Sequence, residues 1–301
     1  MTTQTTTPSA GPTTGTHPTS VNLPSSFNYV GAFLTFRCPY HCSYCINRFG
    51  GGARLSGPER PGEEWIRFFS RLDAHGLPVT LQGGEPGMHP DFIQIVNETL
   101  NRHPVDILST LEFDLRAFIE AVDPKRLNRE APYAPIRVSY HPEQFSLVHI
   151  LDRVLMLQRA GFRIGLYAVE HPRNHAQIEH ARIVCAGLGV DFRTKPFLGW
   201  HEGRLQGSLA YPDACSLPFP RKCMCAPSEL LVGPDGFMYH CHHHLYHKVN
   251  PSGHISNPPV AMSDDFAPCS WFGNCNPCDV KVKNNRFQSF GHVSVRIRLP
   301  D

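Results

Sequence analysis

The chain has 301 residues, of which 41% are hydrophobic and 10% aromatic, with a formal net charge of +2. That is enough apolar material for a substantial core, in one large domain or a domain with an appended module. The near-neutral charge gives no reason to expect nucleic acid or a membrane surface as partner, and no apolar run approaches membrane-spanning length. Residues 1–26 hold no acid, lysine or arginine and are dominated by Thr, Pro and Ser. They lack the basic start and apolar stretch of a secretory signal and the arginines of a transit peptide, so a disordered tail on a cytoplasmic protein is expected.

From residue 30 to about 198, short β-like runs alternate with helical patterns. The runs are 30–36, 79–82, 105–108, 136–139, 164–169 and 190–192. Between them apolar residues recur at helical spacing, as in Trp65, Phe68, Phe69 and Leu72, then Phe92, Ile95 and Val96, then Leu147, Ile150, Leu151, Val154 and Leu155. Strands separated by helices of this length form right-handed βαβ units on a parallel sheet. Six units predict an α/β fold, a partial (β/α)6 TIM-like barrel. Polar residues then collect at the strand ends that share the C-terminal face: the loop 38–45, Gly83-Gly84-Glu85, Ser109-Thr110, Ser139 and His141, Glu170, and Lys195.

The eleven cysteines are clustered, three between Cys38 and Cys45 and seven between Cys215 and Cys278. Tight local groups favour metal sites over a disulfide framework. Cys38-x3-Cys42-x2-Cys45 offers three thiolates to one face of a cubane cluster and leaves one iron open to a chelating small molecule. A zinc knuckle with His41 as fourth ligand is the competing reading. On this loop, with Tyr44 before its third cysteine, and on Leu81-Gln82-Gly83-Gly84-Glu85-Pro86 one βα unit later, the sequence resembles the radical S-adenosylmethionine (SAM) superfamily over roughly residues 28–200.

The resemblance implies a [4Fe–4S] cluster at Cys38, Cys42 and Cys45, whose open iron takes the amino and carboxylate groups of SAM. It implies Tyr44 near the adenine, Gly83 and Gly84 letting the ligand approach the backbone, Glu85 pairing with the methionine ammonium, and Ser139 near the ribose. It further implies reductive cleavage of SAM to a 5′-deoxyadenosyl radical that abstracts hydrogen from a substrate, with flavodoxin or ferredoxin as reductant.

After residue 198 the pattern changes. Pro234-Asp235-Gly236 between two short apolar runs predicts a β-hairpin that brings Cys225 and Cys241 together. The spacing Cys225-x10-Gly236-x4-Cys241, then Cys275-x2-Cys278, resembles the Twitch/SPASM-like modules that follow some radical SAM cores. It implies a second, auxiliary [4Fe–4S] cluster on Cys225, Cys241, Cys275 and Cys278, with Cys223 an alternative to Cys225 and the role of Cys269, six residues before Cys275, left open. The expected organisation is a tail over 1–26, a core over 27–200 and a small C-terminal β-hairpin iron–sulfur module over 201–301. Cys185 shares an apolar helix face with Ile178 and Ala181 and is expected in the core. The histidines of 240–247 are expected to coat the cluster or barrel mouth, with a zinc site as a minor alternative. Residues 281–298, with five basic residues, are expected to form a final strand with those residues solvated.

As substrate, a small molecule is the main expectation, because the sequence shows no extra N-terminal domain to bind a leader peptide. A peptide-modifying maturase is the alternative, and a non-enzymatic zinc-binding protein the second alternative.

Overall fold

The computed structural model describes residues 20–49, 55–283 and 292–300. Six parallel strands form its centre: β1 (Tyr29–Thr35), β2 (Val79–Gly83), β3 (Val105–Ser109), β4 (Ile136–Tyr140), β5 (Ile164–Glu170) and β6 (Asp191–Pro196), hydrogen-bonded in that order. Their registers run Val30 to Val79 to Val105, then Ile107 to Ile136 to Ile164. All six C-terminal ends therefore lie along one rim.

The core is layered. All seven residues of β1 are buried, as expected of a strand covered on both faces. Helix α1 (Gly62–Arg71) buries Trp65, Phe68 and Phe69, and α2 (Phe92–Thr99) buries Phe92, Ile95 and Val96. Asp114 caps α3 (Leu115–Ala121), and Ser146 caps α4 (Leu147–Arg159), which buries Leu147, Ile150, Leu151, Val154 and Leu157. Helix α5 (His175–Leu188) buries Ile178, Ala181 and Cys185 and ends at Gly189 in the left-handed region, φ 67°. Cys185 is the core residue its helix face predicts.

The structure departs from the sequence expectations in four places. Strand β6 runs to Pro196, beyond the 190–192 run, because it is an edge strand with Arg193 and Lys195 only half covered, and its polar members mask the period. From Val21 the chain is packed: Val21–Asn22 pairs with Leu72–Asp73, and Val21 and Leu23 are buried on the period-2 spacing of a half-buried strand. The tail expectation otherwise falls on residues outside those described. Lys283 is buried against Glu229 and over the Tyr29 ring, so it is not solvated.

The fourth departure concerns the hairpin. Strands β7 (Arg221–Pro227), β8 (Glu229–Val232), β9 (Phe237–Tyr239) and β10 (Gly253–His254) follow the barrel units. The expected hairpin is β8–β9, with Gly236 at φ 86° in its turn. Yet β8 lies parallel to β1, Leu230 opposite Val30, so the hairpin extends the barrel sheet on its first edge. At Ser228 the chain changes sheets. Strand β7 belongs to a separate three-stranded sheet, between β11 (Ala267–Phe272) and β12 (Val295–Arg298).

Candidate active site and metal centres

The loop carrying Cys38, Cys42 and Cys45 rises from β1 and is fastened from three strand ends. Glu143, beyond β4, accepts from the Ser43 amide and, at 2.9 Å, from its hydroxyl. Gln144 accepts from the His41 amide at 2.9 Å, and Glu112, beyond β3, accepts from the Tyr40 hydroxyl at 2.6 Å. Asn47 donates to the Gly83 carbonyl at 3.0 Å. None of the three cysteines is in a disulfide, and all are half-buried. Burial, then Cys45, Glu143 and Cys38, push the Cys42 thiol up to about 12. Three cysteines on one loop offer three thiolates from which a single metal centre could be held, with burial disfavouring the bare thiolate at Cys42.

Gly83 and Gly84 are required by the backbone they touch. A Cβ on Gly83, at φ 145°, would lie 2.1 Å from the Thr35 carbonyl oxygen, and one on Gly84 would lie 2.3 Å from that of Arg37. In return the amides of Gly84 and Glu85 donate to the carbonyls of Thr35 and Arg37, both at 2.8 Å. The glycines thus press the end of β2 against the stem of the cysteine loop.

Glu85 does something different from the expected pairing. Its carboxylate is fully buried, and both oxygens are filled by the chain itself. Oε1 accepts from the Ser109 hydroxyl at 2.6 Å and the Gly87 amide at 3.1 Å, and Oε2 from the Thr110 amide and hydroxyl, both at 2.6 Å. A carboxylate offers about four acceptor sites, so an ammonium would have to displace one of these donors. Burial pushes the group up and those bonds pull it down. The geometry makes Glu85 the tie between the ends of β2 and β3.

Above the rim lies an aromatic wall. The Tyr44 hydroxyl meets His141 Nδ1 at 3.1 Å, and its ring stacks on His171, with centroids 5.2 Å apart. His171 packs in turn on Phe197 and His201. Burial and, second, Lys195 lower His141 to about 4, so it is neutral near neutral pH. Ser139, half-buried, stands at the end of β4 on the same rim, and Glu170 ends β5 exposed. Sequence reasoning missed His171 and His201; His171 follows the end of β5 directly, and that position was the available signal.

In the second group, Cys225, Cys241 and Cys275 line one cavity of about 70 Å³, together with Cys269, His240, His243 and His244. Cys278 is not on that lining; its electrostatic neighbours include Cys215 and Tyr246. The sulfurs of Cys223, Cys225 and Cys269 lie within 4.8 Å of one another, and those of Cys223 and Cys225 are 3.4 Å apart. Cys223 and Cys225 share one face of β7 because strand residues alternate, and Cys269 on β11 stands directly opposite Cys223. The bond to Cys269 and then burial raise Cys225, while that same bond lowers Cys269. Burial first, then Asp279, raises Cys241 and Cys275. Asp279 accepts from the His242 amide and Nδ1, both at 2.8 Å, fastening α6 (His242–His247) to the later C-x2-C segment.

Two bonds join the cysteine groups. The Tyr246 hydroxyl donates to Asn47 Oδ1 at 2.7 Å, and Asn276 Nδ2 donates to the Ile46 carbonyl at 3.2 Å. Asn276 lies between Cys275 and Cys278, and Ile46 follows Cys45.

No family model matches the chain. A PqqA peptide cyclase from Ruegeria pomeroyi is 25% identical over 254 residues, which cover 70% of this chain and 66% of the relative. Streptococcus suis SuiB bound to S-adenosylmethionine superposes with a TM-score of 0.53 at 12% identity, covering 78% of this chain and 65% of SuiB. The enzyme anSMEcpe, solved with AdoMet and the Cp18Cys peptide, superposes at 0.52 and 11% identity, covering 78% of this chain and 77% of that one. The chain is similar to these proteins in sequence and fold, as its motifs are to those of the radical SAM superfamily. It spans just under two thirds of the length of the cyclase. No helix among the described residues is long and apolar enough to cross a membrane. The C-x3-C-x2-C loop and the glycine segment are placed together at the ends of adjacent strands.

Proposed function

We propose that this radical SAM enzyme cleaves SAM reductively at a [4Fe–4S] cluster held by Cys38, Cys42 and Cys45, and uses the resulting radical to modify a peptide. The observation that carries the reading is the fastening of a three-thiol loop against the Gly83–Gly84 backbone at the mouth of the barrel. When bound, the cluster supplies one electron and an iron position that no protein thiol fills. The chain's own residues hold the loop through Glu143, Gln144 and Glu112, and present Tyr44 and Ser139 toward a bound nucleoside. The neutral His141, bonded to Tyr44, keeps a full charge away from the reacting centre.

Peptide over small molecule is supported by the resemblance to a peptide cyclase and the likeness to anSMEcpe with its peptide. The small-molecule expectation rested on an N-terminal domain not being present, which is weak ground for choosing a substrate. We further propose an auxiliary iron–sulfur centre in the C-terminal region, a flavodoxin or ferredoxin reductant, and a division into core and module near residue 200. The test is anaerobic. With dithionite and SAM, the reconstituted protein should release 5′-deoxyadenosine. A peptide encoded beside its gene should then change mass only when SAM is present. Colourless, zinc-loaded protein without 5′-deoxyadenosine would sink the proposal.

A further inference from the structure

Around the C-terminal cavity the donors outnumber the expected thiols. The Nε2 atoms of His240, His243 and His244 are all buried there without a hydrogen-bond partner. Unpaired buried nitrogens are uncommon, and three beside a group of thiols call for an explanation that hydrogen bonding within the chain does not provide. A neutral imidazole in that state offers a lone pair, or an N–H, into the space it faces.

The three histidines differ in what they touch. His243 packs its ring on Trp271 and His247, with centroids 4.9 Å and 4.3 Å away. His240 has His244 as its electrostatic neighbour. His244 lies nearest the sulfurs: its side chain is an electrostatic neighbour of Cys269, and its amide donates to Cys241 Sγ at 3.4 Å. Cys269 belongs to a group of three thiols whose sulfurs lie within 4.8 Å of one another.

We propose that His244, through Nε2, is a protein ligand of the auxiliary iron–sulfur centre, completing a set with the thiolates of Cys223, Cys225 and Cys269. This rests on the reading that the C-terminal region holds such a centre. The set differs from the spacing-based one, Cys225, Cys241, Cys275 and Cys278, sharing only Cys225. The substitution has a chemical consequence. A neutral nitrogen in place of a thiolate leaves the centre one negative charge lighter, which raises its reduction potential and makes it the better electron acceptor. An acceptor is what oxidation of a substrate radical requires.

The experiment uses the full chain with Cys38, Cys42 and Cys45 replaced by Ala, so that the auxiliary centre is observed alone. The protein is purified anaerobically, reduced and examined by pulsed EPR. The expected result is a strongly coupled nitrogen that disappears in His244→Ala and persists in His243→Ala. His244→Cys should keep the iron, lose the nitrogen coupling and lower the potential. Cys269→Ala should lose the iron, whereas Cys275→Ala and Cys278→Ala should retain it. Iron and sulfide absent from the starting variant would overturn the auxiliary centre itself, and the ligand with it. A centre without nitrogen coupling, or with coupling unchanged in His244→Ala, would leave the centre standing and remove His244 from it. Iron lost in Cys275→Ala but kept in Cys269→Ala would restore the spacing-based set.

Discussion

Cys38, Cys42 and Cys45 lie within one loop, whereas Cys223, Cys225 and Cys269 meet only because β7 and β11 pair in one register. In the first group the chain needs a turn and a few carboxylate fasteners. In the second it needs an antiparallel sheet, a sheet change at Ser228 and a helix carrying His244. A site written in consecutive residues can lose its metal and keep its scaffold. One written in distant strands has its scaffold and its metal tied together.

The largest expected effect separates the two groups. Replacing Cys38, Cys42 and Cys45 together by Ala should abolish 5′-deoxyadenosine formation while the chain stays folded and keeps the iron of the C-terminal centre. Iron analysis and product chromatography check both halves. Activity surviving in that variant would break the comparison at its root.

Gly84→Ala probes the same loop without touching a thiol. Its Cβ would stand 2.3 Å from one backbone oxygen and 2.6 Å from another, and neither can swing aside as a side chain would. The stem of the loop must shift, so SAM cleavage should fall by at least tenfold while the C-terminal iron is unchanged. Glu85→Gln comes next. Whichever carboxylate oxygen becomes an amide NH2 faces a backbone N–H, from Gly87 or Thr110, that cannot turn away. The loss should be about 1–3 kcal/mol in urea unfolding, the cost of one buried polar group left unpaired. SAM affinity should fall less than in Gly84→Ala, because Glu85 acts through the strand ends.

A gentler probe is acid. His141 is lowered to about 4 by burial, and His292 to the same value, again chiefly by burial. Between about pH 6.5 and 4 the unfolded chain binds protons that these folded histidines refuse. Stability should therefore fall as pH drops through that window, by up to about 1.4 kcal/mol per unit for each histidine, and recover above it. Urea midpoints at several pH values measure this, and a flat profile would show both rings free to charge. Cys185→Ala should be the smallest change. It trims one buried atom at the α5 face, costing about 1 kcal/mol, and should leave iron and SAM cleavage as they were.

What could be read from the sequence follows the same divide. Strands β1 to β5 announce themselves as apolar runs because both their faces are covered, and the first cysteine loop needs only its own spacing. Strand β6 was cut short because an edge strand carries Arg193 and Lys195 among its members. The place of β8 beside β1 is a pairing between segments far apart in the chain, and nothing local in Glu229–Val232 specifies it. The partner of Cys269 is illegible for the same reason: it is chosen by register across two strands, which spacing along the chain does not encode. Glu85 was placed correctly at its strand end, but its four donors come from residues 87, 109 and 110, so its orientation was not legible.

The pairing of β8 with β1 also bears on how the protein can be produced. Strand β1 reads Tyr-Val-Gly-Ala-Phe-Leu-Thr, without a charge or a proline, and lies between β2 and β8 with every residue covered. A chain stopped near residue 200 would lack β8 and expose that strand as a long, apolar, uncharged edge. Such edges recruit strands from neighbouring molecules. Expression of the barrel alone should therefore give aggregates, and the same edge lies open on the ribosome until residues 229–232 have emerged. During that interval the first cysteines are already outside the tunnel with their fold unfinished, a window in which a chaperone or cluster-delivery factor would have to act.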